Sequence, residues 1–318
     1  MLDFLVFIVS FFILSWAGGS LVKSLTSLAR LLKVSEYLMA FFLVSFATSI
    51  PELFVGISSA WKDIPAFSLG NVLGANIINA TLILGLVAIL ANGISIERKF
   101  SRKTFLAAFG MGILPLFFAW DGVISRFDGF LSLAVFLLYL VYISREREYF
   151  SEVFNNASRL PAVFIKDFFA NLGAFVLALT ALLFSAFLLV NTGQKIIGMF
   201  SISAFVFGAL LVALGTTLPE LIFGLKAVNL KHGAMAVGNS LGSIVFNASF
   251  VVGVVSLIRP IEVVRDENFM LSAAFVFLAL LFFSVFTSTK SRLEREEGVF
   301  LVLLYLVFFF SQYYLLIK

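Results

Sequence analysis

The chain has 318 residues, of which 61% are hydrophobic and only 13% are charged, and its formal net charge is +4. Its mean hydropathy of +1.10 exceeds what a water-soluble domain can bury, so the composition predicts an integral membrane protein. The sequence contains no cysteine, which excludes disulfides, thiol catalysis and thiolate metal sites.

Ten apolar segments along the chain are each long enough to cross a hydrocarbon core of about 30 Å. We place these predicted spans at residues 2–21, 37–60, 66–92, 102–120, 127–144, 168–191, 202–226, 233–257, 269–288 and 297–317. Most of the 22 lysines and arginines fall in alternate loops, which the positive-inside rule assigns to the cytoplasm. The sequence therefore predicts a multi-pass protein of the cell membrane, with the N-terminus outside and the loop at residues 145–167 in the cytoplasm.

Two segments of the chain repeat one another. Residues 45–85 align without a gap with residues 213–253, and TSIPELFVG in the first matches TTLPELIFG in the second. Because each half holds an odd number of predicted spans, the halves must enter the membrane from opposite sides, as in many secondary transporters. We therefore predict an all-α fold of ten transmembrane helices, formed by a five-helix repeat at residues 1–155 and an inverted one at residues 156–318.

Only two of the 18 acidic residues, Glu52 and Glu220, fall near the middle of predicted spans. A charge at the bilayer centre costs at least about 2.5–3.5 kcal/mol, so such residues usually face a cavity that carries an ion or a proton. Pro51 and Pro219 precede them, and a proline inside a helix removes an N–H group and displaces a carbonyl. We therefore predict that helices 2 and 7 are broken at these prolines, with hard oxygen ligands for Na⁺ or Ca²⁺ beside each break.

A stripe of residues at four-residue steps follows in the next predicted span of each half. Its members are Asn71, Ala75 and Asn79 in the first half, and Asn239, Ser243 and Asn247 in the second. This spacing places each set along one face of a helix. Amides at membrane depth need partners, so we expect Asn79 and Asn247 to lie beside the carboxylates. Gly70 and Gly74 have the G-x-x-x-G spacing, which we interpret as close helix packing.

The motifs TSIPE with GNVLGANIINA, and TTLPE with GNSLGSIVFNA, resemble the paired α-repeats of the sodium/calcium exchanger family. The resemblance covers the whole chain and implies a secondary antiporter that exchanges Ca²⁺ for Na⁺ by alternating access. It implies that Glu52 and Glu220 clamp Ca²⁺ near the membrane midplane, helped by the backbone carbonyls of Thr48 and Thr216. Ca²⁺, Na⁺ and the lipid bilayer are then the partners, and no cofactor, nucleic acid or obligatory protein partner is expected.

The resemblance also implies Na⁺ sites that share the two glutamates. The further Na⁺ ligands it implies are the side chains of Ser49, Thr217 and Ser243 and the carbonyls of Ser45 and Ala213, while Asn79 and Asn247 flank the middle of the site. Two positions depart from the family pattern. Ala75 stands where members often have a serine, and Asn247 stands where some prokaryotic members have an aspartate. These departures leave H⁺ or K⁺ open as the counter-ion.

Two other classes of function remain open from the sequence. A passive cation channel uses similar oxygen ligands, and an intramembrane enzyme could use the two glutamates as an acid–base pair. The single histidine, His232, lies in a predicted loop, so nothing else in the sequence favours an enzyme. For an antiporter, we expect spans 1 and 6 to move against the remaining helices, with Gly18, Gly19 and Gly193 near their ends.

Overall fold

The computed structural model describes residues 2–31, 44–95, 102–145, 162–200, 202–229, 233–289 and 292–317. Nearly all of these residues are helical. The α-helices of the first half are α1 (Leu2–Leu31), α2 (Ser45–Thr48), α3 (Ile50–Trp61), α4 (Pro65–Ile78), α5 (Leu84–Leu90), α6 (Arg102–Gly112), α7 (Leu114–Phe118) and α8 (Arg126–Arg145). Those of the second half are α9 (Ala162–Phe200), α10 (Ala204–Phe207), α11 (Ala213–Thr216), α12 (Leu218–Asn229), α13 (Gly233–Val245), α14 (Val252–Ile258), α15 (Glu267–Thr289) and α16 (Arg295–Ile317).

In the part of the chain that the structure describes, three π-helical segments lie between α-helices. They are π1 (Asn79–Ile83) between α4 and α5, π2 (Gly208–Val212) between α10 and α11, and π3 (Phe246–Val251) between α13 and α14. A π-helical turn holds one residue more than an α-helical turn and is often found at functional sites. We did not predict these π segments from the sequence.

Among the described residues, seven helical stretches are long and apolar enough to span a membrane. They are Asp3–Leu21, Pro65–Leu90, Asp167–Phe200, Ala204–Asn229, Met235–Ile258, Glu267–Thr287 and Arg295–Ile317. The remaining three predicted spans also overlap helices, namely α2 with α3, α6 with α7, and α8. The chain is therefore a helical protein with many apolar spans, and the count of ten crossings stays a prediction.

The two helices that carry the polar stripes lie at the centre of the bundle. Within their most apolar windows, 83% of the Pro65–Leu90 stretch and 78% of the Met235–Ile258 stretch are buried by the rest of the protein. The corresponding share is only 22% in Arg295–Ile317, whose outer face therefore suits contact with lipid. The polar stripes are thus buried by protein on nearly all sides.

The predicted breaks in helices 2 and 7 fall two residues earlier than expected. Helix α2 ends at Thr48 and α3 begins at Ile50, so the interruption is Ser49, with φ −89° and ψ 4°. In the second half the interruption is Thr217, with φ −85° and ψ 1°. The prolines themselves occupy the first turn of α3 and α12, where the missing N–H has no helical partner to lose.

Close packing of α4 against the second half depends on glycine. A methyl group on Gly70 would overlap the carbonyl oxygen of Phe205, and one on Gly74 would overlap that of Ala209. A methyl group on Gly208 would overlap the carbonyl oxygen of Phe67 in return. The G-x-x-x-G spacing in α4 is therefore a packing feature, as the sequence predicted.

Two short antiparallel pairings add strand structure that the all-α prediction did not include. Strand β1 (Ile94–Ser95) pairs with β4 (Arg292–Leu293), and β2 (Val123–Ile124) pairs with β3 (Ile261–Glu262). In each pair, one strand follows a central helix and the other lies far away along the chain, by nearly 200 residues for β1 and β4 and nearly 140 for β2 and β3. Together they tie the central helices to the peripheral ones.

Helices α1 and α9 pack against each other beside the central helices. An ion pair joins them, with Lys195 Nζ 2.8 Å from Asp3 Oδ1. Gly18 of α1 lies against the broken helices, because a methyl group there would be 2.8 Å from Pro219 Cγ and 3.3 Å from Pro51 Cγ. Helix α1 therefore contacts both proline motifs at one glycine.

Candidate functional site

The residues predicted to bind ions are all buried. Each is at most 2% exposed, and the set comprises Ser45, Thr48, Ser49, Glu52, Asn79, Ala213, Thr216, Thr217, Glu220, Ser243 and Asn247. They lie on the ends of the interrupted helices α2–α3 and α11–α12 and on the central helices with their π segments. Buried carboxylates and amides need compensation by hydrogen bonds or ions, so their partners decide what this region can do.

Glu220 is surrounded by hydroxyl groups from the first half and from its own half. Ser49 Oγ donates to Glu220 Oε1 at 3.3 Å, and Ser243 Oγ donates to the same oxygen at 3.4 Å. Thr48 Oγ1 lies 3.4 Å from Ser243 Oγ, which also lies 3.4 Å from the carbonyl oxygen of Ser45. The structure thus brings five of the predicted residues into one hydrogen-bonded group.

Glu52 lies close enough to Glu220 for the two carboxyl groups to interact electrostatically, so they belong to one site. The Thr216 side chain is a polar neighbour of Glu52, as Thr48 is of Glu220. Within the described residues, however, neither Glu52 oxygen accepts a hydrogen bond that meets ordinary geometric limits. Among the described residues, no hydrogen bond of ordinary geometry therefore offsets the burial of Glu52.

The backbone carbonyls of Ser45 and Ala213, beside the breaks, both accept hydrogen bonds. The Ser45 carbonyl accepts Ser49 N at 3.1 Å, and the Ala213 carbonyl accepts Thr217 N at 3.1 Å. The hydroxyl of Thr217 also donates to the Ala213 carbonyl at 2.7 Å. A carbonyl oxygen has two lone pairs, so each of these oxygens can bind a cation while it also accepts hydrogen bonds from N–H and O–H donors.

Asn79 and Asn247 lie inside π segments. Asn79 begins π1, and its Nδ2 donates to the Ala75 carbonyl at 3.0 Å, which leaves Oδ1 without a partner among the described residues. Asn247 is the second residue of π3, and neither of its amide atoms has a described partner. The structure shows no hydrogen bond between these amides and the glutamates in the part of the chain it describes.

Two asparagines of the stripes make contacts that the sequence analysis did not assign. Thr216 Oγ1 donates to Asn71 Oδ1 at 3.1 Å, and Thr48 Oγ1 donates to Asn239 Oδ1 at 3.3 Å. Both asparagines are at most 1% exposed. Their place in the stripe of residues at four-residue steps is the sequence feature that points to them. Only the fold shows that each contacts the threonine of the opposite half.

Several buried oxygen atoms of the predicted site have no hydrogen-bond partner among the described residues. They are Glu52 Oε1 and Oε2, Glu220 Oε2, Asn79 Oδ1 and Asn247 Oδ1. Within the described ranges, no group of three or more His, Asp or Glu side chains is arranged to hold a metal ion, so a cation here meets two carboxylates and otherwise neutral oxygens. That donor set suits hard cations such as Na⁺ and Ca²⁺.

Some predicted features fall on residues that the structure does not describe. His232 is one, and the central part of the loop at residues 145–167 is another. Neither contributes to the geometry given above.

Comparison with known proteins relates the chain to transporters along its whole length. The family described as sodium/calcium exchanger protein matches residues 2–145 and 170–314. The sodium/calcium exchanger MaX1 of Methanosarcina acetivorans is 27% identical over 352 aligned residues, which cover 98% of this chain and 99% of that protein. CaxA of Alkalimonas amylolytica is 30% identical over 315 residues, which cover 94% of this chain and 95% of that protein.

Solved structures of the sodium-calcium exchanger NCX_Mj have the same fold. The structure soaked with 10 mM Na⁺ and 10 mM Sr²⁺ has a TM-score of 0.70 and 25% identity, over 96% of this chain and 97% of that one. The structure soaked with zero Na⁺ and Ca²⁺ has a TM-score of 0.66 and 26% identity, with the same coverage.

Proposed function

The chain belongs to the sodium/calcium exchanger protein family, and from this premise we propose that it exchanges Ca²⁺ for Na⁺ at one buried site containing Glu52 and Glu220. Membership makes it a multi-pass membrane antiporter of cations, including Ca²⁺, and not an enzyme. The choice of Na⁺ as counter-ion and the assignment of the ligands are the parts that we propose.

The unpartnered buried oxygens are the observation that carries the proposal. Glu52 contributes both of its carboxyl oxygens, and Glu220, Asn79 and Asn247 contribute one each. A buried oxygen without a hydrogen bond costs free energy, and a carboxylate without a partner costs more. A hard cation coordinated by these atoms offsets that cost.

We assign Ca²⁺ to the two carboxylates together with the backbone carbonyls of Thr48 and Thr216. Ca²⁺ takes six to eight oxygen ligands at about 2.3–2.6 Å, and carboxylates are its strongest ligands in proteins. Na⁺ then shares the carboxylates and uses neutral oxygens. The proposed neutral Na⁺ ligands are the side chains of Ser49, Thr217 and Ser243 and the carbonyls of Ser45 and Ala213, with Asn79 and Asn247 flanking the middle.

Coupled exchange follows from the charge of the site. With both glutamates ionised, the site carries two negative charges, because Asn247 is neutral. Moving these two charges through a low-dielectric barrier without a cation costs on the order of several kcal/mol. One Ca²⁺ or two Na⁺ neutralise them. The protein therefore changes sides when loaded, and the Na⁺ gradient drives Ca²⁺ transport.

We propose that the chain is built from two inverted five-helix repeats, residues 1–155 and 156–318, with ten crossings of the cell membrane. The paired interruptions at Ser49 and Thr217 support this division. The distribution of basic residues among the loops supports an N-terminus outside and residues 145–167 in the cytoplasm. Helices α1 and α9 then move against the central helices, with Gly18 as the contact point on both proline motifs.

Proton coupling is the alternative that one observation favours. Ala75 leaves the Glu52 half without the hydroxyl that Ser243 supplies to the Glu220 half. A carboxylate with few neutral oxygens around it binds Na⁺ less well and can be neutralised by a proton instead.

Radioactive Ca²⁺ uptake by proteoliposomes tests the proposal. We expect uptake under an outward Na⁺ gradient, and none in empty liposomes or with Na⁺ equal on both sides. Uptake that is driven only by an outward H⁺ or K⁺ gradient would identify that ion, instead of Na⁺, as the counter-ion. Uptake that needs no counter-ion indicates a channel and contradicts the proposal.

A further inference from the structure

Two hydrogen bonds link the halves of the chain beside the proposed cation site. Asn71 on α4 accepts a hydrogen bond from Thr216 on α11 at 3.1 Å, and Asn239 on α13 accepts one from Thr48 on α2 at 3.3 Å. The two bonds occupy equivalent positions, and each runs from a threonine of one half to an asparagine of the other. Neither asparagine belongs to the cation ligands proposed above.

Backbone packing holds the first of these asparagines in place. A methyl group on Gly74 would lie 2.8 Å from Ala213 Cβ, at the start of α11, and one on Gly208 would lie 2.9 Å from the backbone nitrogen of Asn71. Helix α4 therefore contacts π2 and the first residue of α11, the short helix that ends at Thr216. The amide of Asn71 has little freedom to move away from the threonine.

The threonines need an external anchor because of where they lie. Thr48 and Thr216 are the last helical residues before the interruptions at Ser49 and Thr217, and the end of a helix frays more easily than its middle. Each hydroxyl also reaches a carbonyl of its own turn, Ser45 at 3.1 Å and Ala213 at 3.4 Å, but those bonds do not fix the turn against the other half. The hydrogen bonds to Asn71 and Asn239 hold each threonine against the other half.

We propose that Asn71 and Asn239 are positioning residues for cation binding, each of which holds the threonine of the opposite half. Through Thr216, Asn71 sets the place of a carbonyl and of the side chain beside Glu52, and Asn239 does the same through Thr48 beside Glu220. This inference rests on the proposed function, because the threonines matter for transport only if their carbonyls bind the cation. Neither amide contacts the cation.

Double-mutant cycles on Ca²⁺ uptake test this pairing. The variants are Asn71→Ala, Thr216→Val, Asn239→Ala and Thr48→Val, alone and in pairs, with the apparent KM and the maximal rate measured separately in proteoliposomes. Loss of one buried hydrogen bond should raise the KM for Ca²⁺ by roughly fivefold in each single variant. In a contacting pair, such as Asn71→Ala with Thr216→Val, the double variant should resemble the worse single variant.

The non-contacting pairs supply the contrast. Asn71→Ala with Thr48→Val removes two different hydrogen bonds, so its effects should multiply to roughly 25-fold. A merely structural loss lowers the yield of folded protein or the maximal rate and does not distinguish contacting from non-contacting pairs.

Asn76→Ala is the matched control. Asn76 is a fully buried amide on the same helix as Asn71, and its Nδ2 donates to the Ile244 carbonyl at 3.4 Å instead of pairing with a threonine. We expect it to lower the thermal unfolding temperature while the KM for Ca²⁺ stays within about twofold of the wild type.

Each outcome decides between the inference and the proposed function. Normal wild-type exchange with equal behaviour of contacting and non-contacting pairs overturns the inference alone, as does a KM that none of the single variants raises. No Ca²⁺ uptake by the wild type overturns both. If Asn71→Ala does not fold, the Asn239 and Thr48 cycle decides the matter in the same way.

Discussion

The surroundings of Glu220 and Glu52 differ, although the residues occupy equivalent places in TTLPE and TSIPE. The hydroxyls of Ser49 and Ser243 both donate to Glu220 Oε1, whereas neither Glu52 oxygen accepts a hydrogen bond from the described residues. Hydroxyl donors stabilise a carboxylate charge. Equivalent motifs in the two halves therefore give unequal support to the two buried carboxyl groups.

Two differences in residue type cause this inequality. Ala75 has no hydroxyl where Ser243 has one, and Thr217 stands where the first half has Ser49. The Thr217 hydroxyl turns back to its own backbone, at 2.7 Å from the Ala213 carbonyl, instead of crossing to Glu52. We infer that Glu52 depends on bound cations more than Glu220 does.

Removal of the charge of either glutamate should have the largest effect on exchange. Glu52→Gln and Glu220→Gln should each lower Ca²⁺ exchange by roughly 100-fold or more, because loss of a buried charge from a charge pair costs about 2–5 kcal/mol. Initial rates of Ca²⁺ uptake in proteoliposomes measure the effect. Glu262→Gln is the control, since Glu262 is exposed on β3, and it should exchange normally. Near-normal exchange by both site variants contradicts the site assignment.

A methyl group at Gly18 tests the contact between α1 and the two proline motifs. Gly18→Ala should slow exchange by roughly tenfold, because overpacking against Pro219 and Pro51 costs about 1–3 kcal/mol. Gly19→Ala should exchange at the wild-type rate, since a methyl group there meets nothing within 4 Å. Uptake rates and thermal unfolding of both variants check this. Equal behaviour of the two would show that α1 has no specific contact at Gly18.

Loss of a hydroxyl should have unequal consequences in the two halves. Ser49→Ala removes a donor from Glu220 and should weaken apparent Ca²⁺ affinity by roughly fivefold. Thr217→Val removes a hydroxyl that bonds its own backbone, so the loss should be only about twofold. Ca²⁺ titrations of uptake compare the variants. A larger effect at Thr217 would reverse the inequality described above.

Addition of the missing hydroxyl should make the halves more alike, with the smallest effect. Ala75→Ser offers Glu52 and a nearby Na⁺ one more neutral oxygen, and it should raise apparent Na⁺ affinity by about threefold while Ca²⁺ affinity changes little. Sodium titrations of Ca²⁺ efflux from proteoliposomes measure this. Identical curves for wild type and variant, or no dependence on Na⁺ in either, would favour protons as the counter-ion.

Local features of the chain predicted the helices well and their interruptions less well. The predicted span at residues 66–92 corresponds to the helical stretch Pro65–Leu90, because hydropathy records burial in lipid or protein directly. The breaks lie at Ser49 and Thr217 instead of at the prolines, since a proline disturbs the turn before it and fits the first turn after it. The three π segments had no signal, because they depend on how neighbouring helices pack.

By itself, the sequence determined that two carboxylates lie within apolar helices, that each follows a proline motif, and that the motifs recur in both halves. Hydropathy, proline and repetition are local properties, so they can be read along the chain. Only the tertiary structure decided that Ser49 reaches Glu220 and that Thr216 reaches Asn71. Each of these hydrogen bonds joins residues more than 140 positions apart, and such partners are selected by the way the two halves pack together.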